Sequence, residues 1–278
     1  MEQAENHEQR EIQQVLFESN FAHELAGGLA SLLLSVVGAA ELSGKELQDI
    51  NFTDLKRLRE YTESIRWEVE AQLFQALNIL SVRFPDQATG VIEPTIEYKK
   101  PVEFLQSMLP PYVEYAKRRS IEIVMANSDD AMCMPEIEVE INTLRRVFHN
   151  LLSNAIKYSY RGRTERWRYV RIWCKRDHQH GDSWAVCFEN YGIGLTKEER
   201  DRVFALGFRG AGARHERAFG SGIGLWVANR CIALHGGRIR LESSNVHGNT
   251  SKTTVSLVFP RVTGIRRRLV DFKHIMDG

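Results

Sequence analysis

The segment that decides the fold is RRVFHNLLSNAIKYS, residues 145–159. Its apolar residues recur three or four positions apart, which is typical of one face of an amphipathic helix. Asn150 and Asn154 are four positions apart, so they project from one side of that helix, beside Lys157. Two amide carbonyls can hold a hard cation that keeps most of its waters, as Mg²⁺ prefers, and the lysine can meet phosphate charge. A surface helix with ordinary polar residues explains the same pattern, so this segment alone leaves function open.

Two glycine-rich segments follow along the chain. NYGIGL, residues 190–195, ends an apolar strand, and Gly192 and Gly194 allow tight turns and a close approach of backbone to a ligand. GSGIGL, residues 220–225, opens a helix, where free backbone N–H groups can face anionic oxygens. Each segment alone is weak support for a phosphate site. The stretch between them is rich in Gly, Ala and Arg, and we interpret it as a mobile lid.

The order of the three segments is the specific feature. An Asn-rich helix, a Gly-x-Gly after a strand and a Gly-x-Gly-x-Gly before a helix resemble the ATP-binding domain of histidine kinases, the Bergerat fold. The resemblance covers roughly residues 95–262 and implies that ATP and Mg²⁺ bind there. The sequence has neither a Walker A motif nor the lysine, HRD and DFG set of protein kinases, which disfavours the other common ATP-binding folds.

The resemblance also implies a role for individual residues. Asn150 and Asn154 would hold Mg²⁺, and the other cofactor-binding candidates are Lys157, Tyr158, Asn190, Gly192, Gly194, Arg209, Gly220, Gly222, Gly224, Leu225 and Thr253. Among these, the lysine and the arginine would contact phosphates, and the glycines at 220–224 would bound the phosphate loop. Asn190 and Thr253 would face adenine. Asn190 replaces the aspartate that the family usually has, and its neutral carbonyl makes a weaker hydrogen bond than a carboxylate does.

The first part of the chain is predicted to form two long helices. Residues 8–42 keep apolar positions three or four apart, and a second helix begins near Asn51 or Thr53, with a near-heptad seam over 55–80. Two long helices joined by a short turn form an antiparallel hairpin. Because a lone hairpin cannot bury both of its apolar sides, we predict a homodimeric four-helix bundle.

The first of these helices contains HELAGGL, residues 23–29. This segment resembles the H-box of histidine kinases, usually His-Glu-Leu-Arg-Thr-Pro-Leu, and departs from it at residues 26–28. The resemblance implies two catalytic residues: His23 would accept the phosphoryl group, and Glu24 would take the proton from the other ring nitrogen. A lone histidine on a helix is more often inert, so the assignment depends on its position before the ATP-binding domain.

The predicted fold class is α+β, a helical hairpin in a dimeric four-helix bundle followed by a two-layer α/β sandwich of the Bergerat type. Residues 1–80 are predicted to form the hairpin and residues 81–95 a linker that holds two prolines and a glycine. Residues 96–262 would form the ATP-binding domain, and residues 263–278 a C-terminal extension.

Composition narrows the classes of partner and compartment. The net charge is only +1, so no global field favours nucleic acid. The four cysteines lie far apart without metal-ligand spacing, which is typical of a reduced protein. Residues 25–40 carry no charge, but a membrane span needs about 20 apolar residues. The polar start excludes a cleavable signal peptide. We therefore expect a cytoplasmic protein with no membrane segment in this chain.

The sequence predicts the core of a two-component sensor histidine kinase, which would phosphorylate His23 and transfer the phosphoryl group to an aspartate of a response-regulator receiver domain. Two alternatives remain open. A degenerate module could bind nucleotide, dimerise and signal by conformation alone, and the altered H-box and Asn190 favour this reading. The ATPases that share the fold, such as the gyrase and mismatch-repair families, carry a glutamate where this chain has Asn150 and lack the hairpin.

Overall fold

A computed structural model describes most of the chain beyond residue 50. The described residues are 36–37, 39–40, 44, 51–83, 94–126, 134–159, 168–177, 183–212, 221–248, 250–266 and 268. His23, Glu24 and Gly220 lie outside them, as does most of the predicted first helix. Within the described part of the chain, no helix combines the length and the apolar character that crossing a membrane requires.

Helix α1 spans Phe52–Arg83 and begins where the sequence predicts. Asn51 Oδ1 accepts the backbone N–H of Asp54 at 3.0 Å, and Asp54 Oδ2 accepts the N–H of Asn51 at 3.3 Å. This reciprocal capping confirms Asn51 as the residue that starts the helix. Helix α1 is described through Arg83, three residues beyond residue 80, where the predicted hairpin ends.

The remaining elements form the α/β sandwich and a small separate sheet. In chain order they are β1 Ile96–Lys99, α2 Pro101–Lys117, β2 Glu122–Met125, β3 Ile137–Glu140, α3 Ile141–Lys157, β4 Tyr169–Asp177, β5 Ser183–Gly192, α4 Lys197–Arg202, α5 Gly224–Leu234, β6 Arg238–His247 and β7 Thr250–Pro260. The main sheet has the order β2-β4-β5-β7-β6, parallel only between β2 and β4, and β1 pairs with β3. The α+β class predicted from the sequence is confirmed.

Helix α3 lies at the centre of the core. Its apolar stripe, which includes Leu152 and Ile156, is fully buried in one cluster with side chains of β5 and α5. Its start is capped by Glu140, whose carboxylate accepts the N–H groups of Asn142 and Thr143 at 3.2 and 2.7 Å. The polar side of the same helix carries the two candidate metal ligands. The core therefore fixes the position from which these ligands project.

His149 joins three helices and is a packing residue. Its ring stacks on Phe74 of α1 with centroids 4.5 Å apart, and Nδ1 lies 2.8 Å from the hydroxyl of Tyr112 on α2. Burial lowers the pKa of His149 from 6.5 to about 3, since the charged ring would lose its solvation. The side chain is therefore neutral at pH 7.

The burial of His149 predicts that the folding stability of the protein depends on pH. Between pH 6.5 and about 3 the unfolded chain binds a proton that the folded chain does not, so stability falls as pH falls through this window. The loss between pH 7 and pH 5 is about 2 kcal/mol. We expect His149→Gln to remove this component, measured as urea unfolding at both pH values. The exposed His247→Gln is the control and keeps the wild-type slope. Equal slopes in all three proteins would contradict the prediction.

Candidate nucleotide-binding site

One cavity, with a volume of about 210 Å³, brings the three sequence motifs together. The predicted site residues that line it are Asn150, Asn154, Lys157, Tyr158, Asn190, Gly194, Arg209, Gly222, Gly224, Leu225 and Thr253. They come from α3, the end of β5, the segment after α4, the start of α5 and strand β7. Gly192 is described but does not line the cavity.

Asn190 and Thr253 face each other across neighbouring strands at one side of the cavity. Thr253 Oγ1 lies 3.1 Å from the hydroxyl of Ser243, whereas the buried Nδ2 of Asn190 has no partner among the described residues. Glu189 points to the other side of the strand, where Lys252 Nζ is 3.8 Å from its carboxylate. The amide of Asn190 therefore places a buried donor beside the cavity that has no partner among the described residues.

The charges of the cavity wall suit a polyanion. Among its described lining residues, Lys157 and Arg209 carry the formal charges, and none is a carboxylate. His149 also lines the cavity but is held neutral by burial. The side chains of Lys157 and Arg209 make the described part of the wall positively charged, which suits a ligand with several negative charges, such as a triphosphate.

The glycines of the site have different physical roles. Gly222 has φ +75°, and a Cβ there would lie 2.6 Å from the carbonyl carbon of Gly207 and 2.8 Å from the carbonyl oxygen of Phe208. Gly222 therefore packs the start of α5 against the segment after α4. A Cβ at Gly192 would collide with the carbonyl oxygen of Tyr158, so this glycine permits close backbone packing beside the cavity. The sequence alone does not separate these two roles.

Part of the cavity wall was not predicted from the sequence. Ala71, Gln75 and Asn78 of α1 line it, as does Tyr115 of α2. Asn78 Nδ2 donates to Asn150 Oδ1 at 3.1 Å, which ties α1 directly to a candidate metal ligand. A sequence pattern that could have revealed these α1 residues is the helical spacing of residues 71, 74, 75 and 78, which form a second stripe beside the heptad seam.

Comparison with known proteins shows which family this domain is similar to. Residues 139–263 match the family described as "Histidine kinase-, DNA gyrase B-, and HSP90-like ATPase". This stretch of the chain is similar to that family, and the similarity implies ATP binding. The match confirms the resemblance to the ATP-binding domain of histidine kinases, and it includes α3, both glycine segments and Thr253.

The relatives of the chain are named as a histidine kinase and as a signal transduction protein. "Histidine protein kinase SaeS" of Staphylococcus epidermidis is 28% identical over 221 residues, which cover 73% of this chain and 59% of the relative. "Hybrid signal transduction protein dokA" of Dictyostelium discoideum is 25% identical over 239 residues, 85% of this chain and 13% of the relative. The match to SaeS thus spans about three fifths of that relative's length.

A solved structure also resembles the chain. The mycobacterial sensor histidine kinase MprB aligns over 60% of this chain and 99% of its own, with 22% identity and a TM-score of 0.44. Together, the family match and the named relatives support a sensor histidine kinase catalytic core of a kinase-type enzyme family.

The close packing at Gly222 gives a test of the site. We expect Gly222→Ala to weaken binding of an ATP analogue at least tenfold, because the added methyl must displace the backbone of residues 207–208. Gly248→Ala is the matched control, since Gly248 also has a positive φ but an added Cβ there meets nothing within 4 Å. Calorimetric titration measures both affinities. Equal losses in the two variants would attribute the effect to backbone strain alone.

Proposed function

We propose that this chain is the catalytic core of a two-component sensor histidine kinase. It binds Mg-ATP in the cavity, transfers the γ-phosphoryl group to His23 and passes it to an aspartate of a response-regulator receiver domain. The observation that carries the proposal is the convergence of Asn150, Asn154 and Lys157 with the glycine-led start of α5 on one cavity.

The unpaired polar atoms of the cavity suit this ligand. The Nδ2 atoms of Asn150 and Asn190 are buried, and neither has a partner among the described residues. An unpaired buried amide costs about 1–3 kcal/mol, so a ligand with acceptor atoms is favoured there. In this proposal, Asn150 and Asn154 hold Mg²⁺, which neutralises phosphate charge. Lys157 and Arg209 contact the phosphates, and Asn190 and Thr253 face the base.

His23 and Glu24 complete the proposed chemistry. A neutral imidazole nitrogen attacks the γ-phosphorus, a nitrogen–phosphorus bond forms, and the bond to the bridging oxygen breaks to release ADP. Glu24 takes the proton from the other ring nitrogen. The phosphoryl group then moves from nitrogen to the carboxylate of the receiver domain. Both residues lie outside the described part of the chain, so their roles rest on the resemblance to the H-box.

The exposed side of α1 supports a homodimer. Leu55, Thr62, Val69 and Ala76 are seven residues apart along the helix, and all four are exposed. A heptad stripe of this kind packs against another helix. We propose that it contributes to a four-helix bundle formed by two copies of the hairpin.

Two other functions make different predictions. A degenerate module would bind nucleotide in the same cavity, and residues 26–28 and Asn190 favour it, but it would not become labelled by γ-labelled ATP. An ATPase that activates water needs a carboxylate base, whereas this chain has Asn150 at the position where those families carry glutamate. No carboxylate lines the cavity among the described residues, which favours the kinase over this second alternative.

The first test of the proposal is His23→Gln. We expect this substitution to eliminate labelling by γ-labelled ATP while ATP affinity changes less than about twofold, because the proposed nucleophile belongs to the predicted hairpin and not to the nucleotide-binding domain. The label in the wild type should be acid-labile and base-stable. His247→Gln is the control histidine and should label normally. Wild-type labelling of His23→Gln would identify another acceptor, and an unlabelled wild type that binds ATP would favour the degenerate module.

The second test is Asn154→Ala. Loss of this metal ligand leaves the triphosphate charge poorly neutralised, so we expect labelling to fall at least a hundredfold while the dimer persists. Labelling and analytical ultracentrifugation measure the two properties. Asn245→Ala, an exposed substitution on β6, is the control. Unchanged labelling of Asn154→Ala would contradict the assignment of the nucleotide site.

A further inference from the structure

The contact between Asn78 and Asn150 has an orientation that donor and acceptor chemistry fixes. Arg146 Nη2 lies 3.3 Å from Asn78 Oδ1, and a guanidinium can only donate, so the oxygen of Asn78 faces Arg146. The Nδ2 of Asn78 therefore faces Asn150 and donates to its Oδ1 at 3.1 Å. In turn, the carbonyl oxygen of Asn150 must face Asn78. The side chain of Arg146 thus determines the orientation of both amides.

The carbonyl oxygen of Asn150 is enclosed in this arrangement. Asn78 lies on one side of it, and Gly224 lies close by, since a Cβ added to Gly224 would be 3.0 Å from this oxygen. The Nδ2 of the same amide is left without a partner among the described residues. A metal ligand needs the oxygen, whereas the atom that remains unused is a donor.

The same face of α1 is docked firmly beside the cavity. Ala71, Phe74 and Asn78 are 7%, 4% and 6% exposed, and Phe74 stacks on His149, which is next to Asn150 in the chain. These three residues lie three and four positions apart, so they form one stripe of the helix. The stripe brings Asn78 into the domain as part of a packed surface and not as an isolated surface contact.

From these contacts we infer that Asn78 is a latch on the nucleotide site. While α1 is docked, Asn78 withholds the carbonyl oxygen of Asn150 from Mg²⁺, and loading of the metal-bound nucleotide requires that this hydrogen bond breaks. The inference rests on the proposed function, since it assumes that Asn150 is a metal ligand. It adds a regulatory role for α1, because the helix whose exposed stripe is proposed to form the dimer also controls access to the metal ligand.

The inference predicts the direction in which removal of the Asn78 side chain changes nucleotide affinity. Binding of a trinitrophenyl derivative of ATP to the full chain is titrated by fluorescence with Mg²⁺ and with a chelator. We expect Asn78→Ala to tighten binding about fivefold in Mg²⁺, because one net hydrogen bond no longer competes with the metal, and to leave binding in chelator unchanged. Leu73→Ala, at an exposed position of the same helix, is the control and should match the wild type in both conditions.

Two further variants distinguish loss of this hydrogen bond from weaker packing of α1 as a whole. Asn78→Asp keeps an acceptor for Arg146 and accepts from Asn150 Nδ2 once that amide turns, which releases the oxygen while α1 stays docked. We expect it to tighten Mg²⁺-dependent binding as Asn78→Ala does. In an Asn150→Ala background, Asn78→Ala should have no effect on Mg²⁺-dependent binding, because the oxygen that it would release is gone.

The other outcomes are distinguishable. Weaker Mg²⁺-dependent binding in Asn78→Ala would show that Asn78 positions Asn150 for the metal, and unchanged binding would show that the contact is only structural. Either result overturns the latch and leaves the nucleotide site in place. If neither the wild type nor any variant binds the nucleotide, although each keeps its thermal unfolding transition, the proposed function fails and the latch with it.

Discussion

The rest of the structure depends on the burial of α3. This helix places one stripe, including Leu152 and Ile156, in the centre of the core, so its opposite side is held in position without needing contacts of its own. Its start is fixed at Glu140, whose carboxylate caps the helix and whose backbone N–H donates to His235 Nε2 at 3.1 Å. Because the helix is rigid and capped, Asn150 and Asn154 project from defined points, and the cavity forms where the glycine segments approach them.

Much of this arrangement is readable from the sequence because it is local. The stripe of α3 follows helical periodicity, and the glycines occur where backbone must come close to another backbone or to a ligand. Helix α4 has no apolar stripe, so periodicity does not reveal it. Its capping box, formed by Thr196 and Glu199, is the local feature that marks its start. Strand β1 has only four residues and pairs with β3, far along the chain. A short strand of this kind forms only by pairing with a distant strand, and the local sequence pattern does not indicate which strand that is.

The packing of α1 beside the cavity was not predicted from the sequence. The heptad seam of this helix predicts one apolar face, and packing in a four-helix bundle explains that whole face. The role of the second stripe, with Ala71, Phe74 and Asn78, is visible only from its contacts with His149 and Asn150. These two residues lie some seventy residues further along the chain. Similarly, Gly192 and Gly222 occur in comparable motifs, but one meets a backbone carbonyl beside the cavity and the other packs two segments of its wall. Long-range packing decides such roles.

Two stripes on one helix have a mechanical consequence. If α1 turned when the proposed bundle formed, Phe74 would move away from His149, which is neutral because burial lowers its pKa to about 3. That ring would then gain access to water, and Asn78 would lose its position between Arg146 and Asn150. Apolar stacking and amide hydrogen bonding thus break together, since both belong to the same stripe. In the proposed dimer, α1 would contact the partner copy on one side and the nucleotide domain on the other, so dimer packing would be coupled to the availability of the Asn150 carbonyl oxygen.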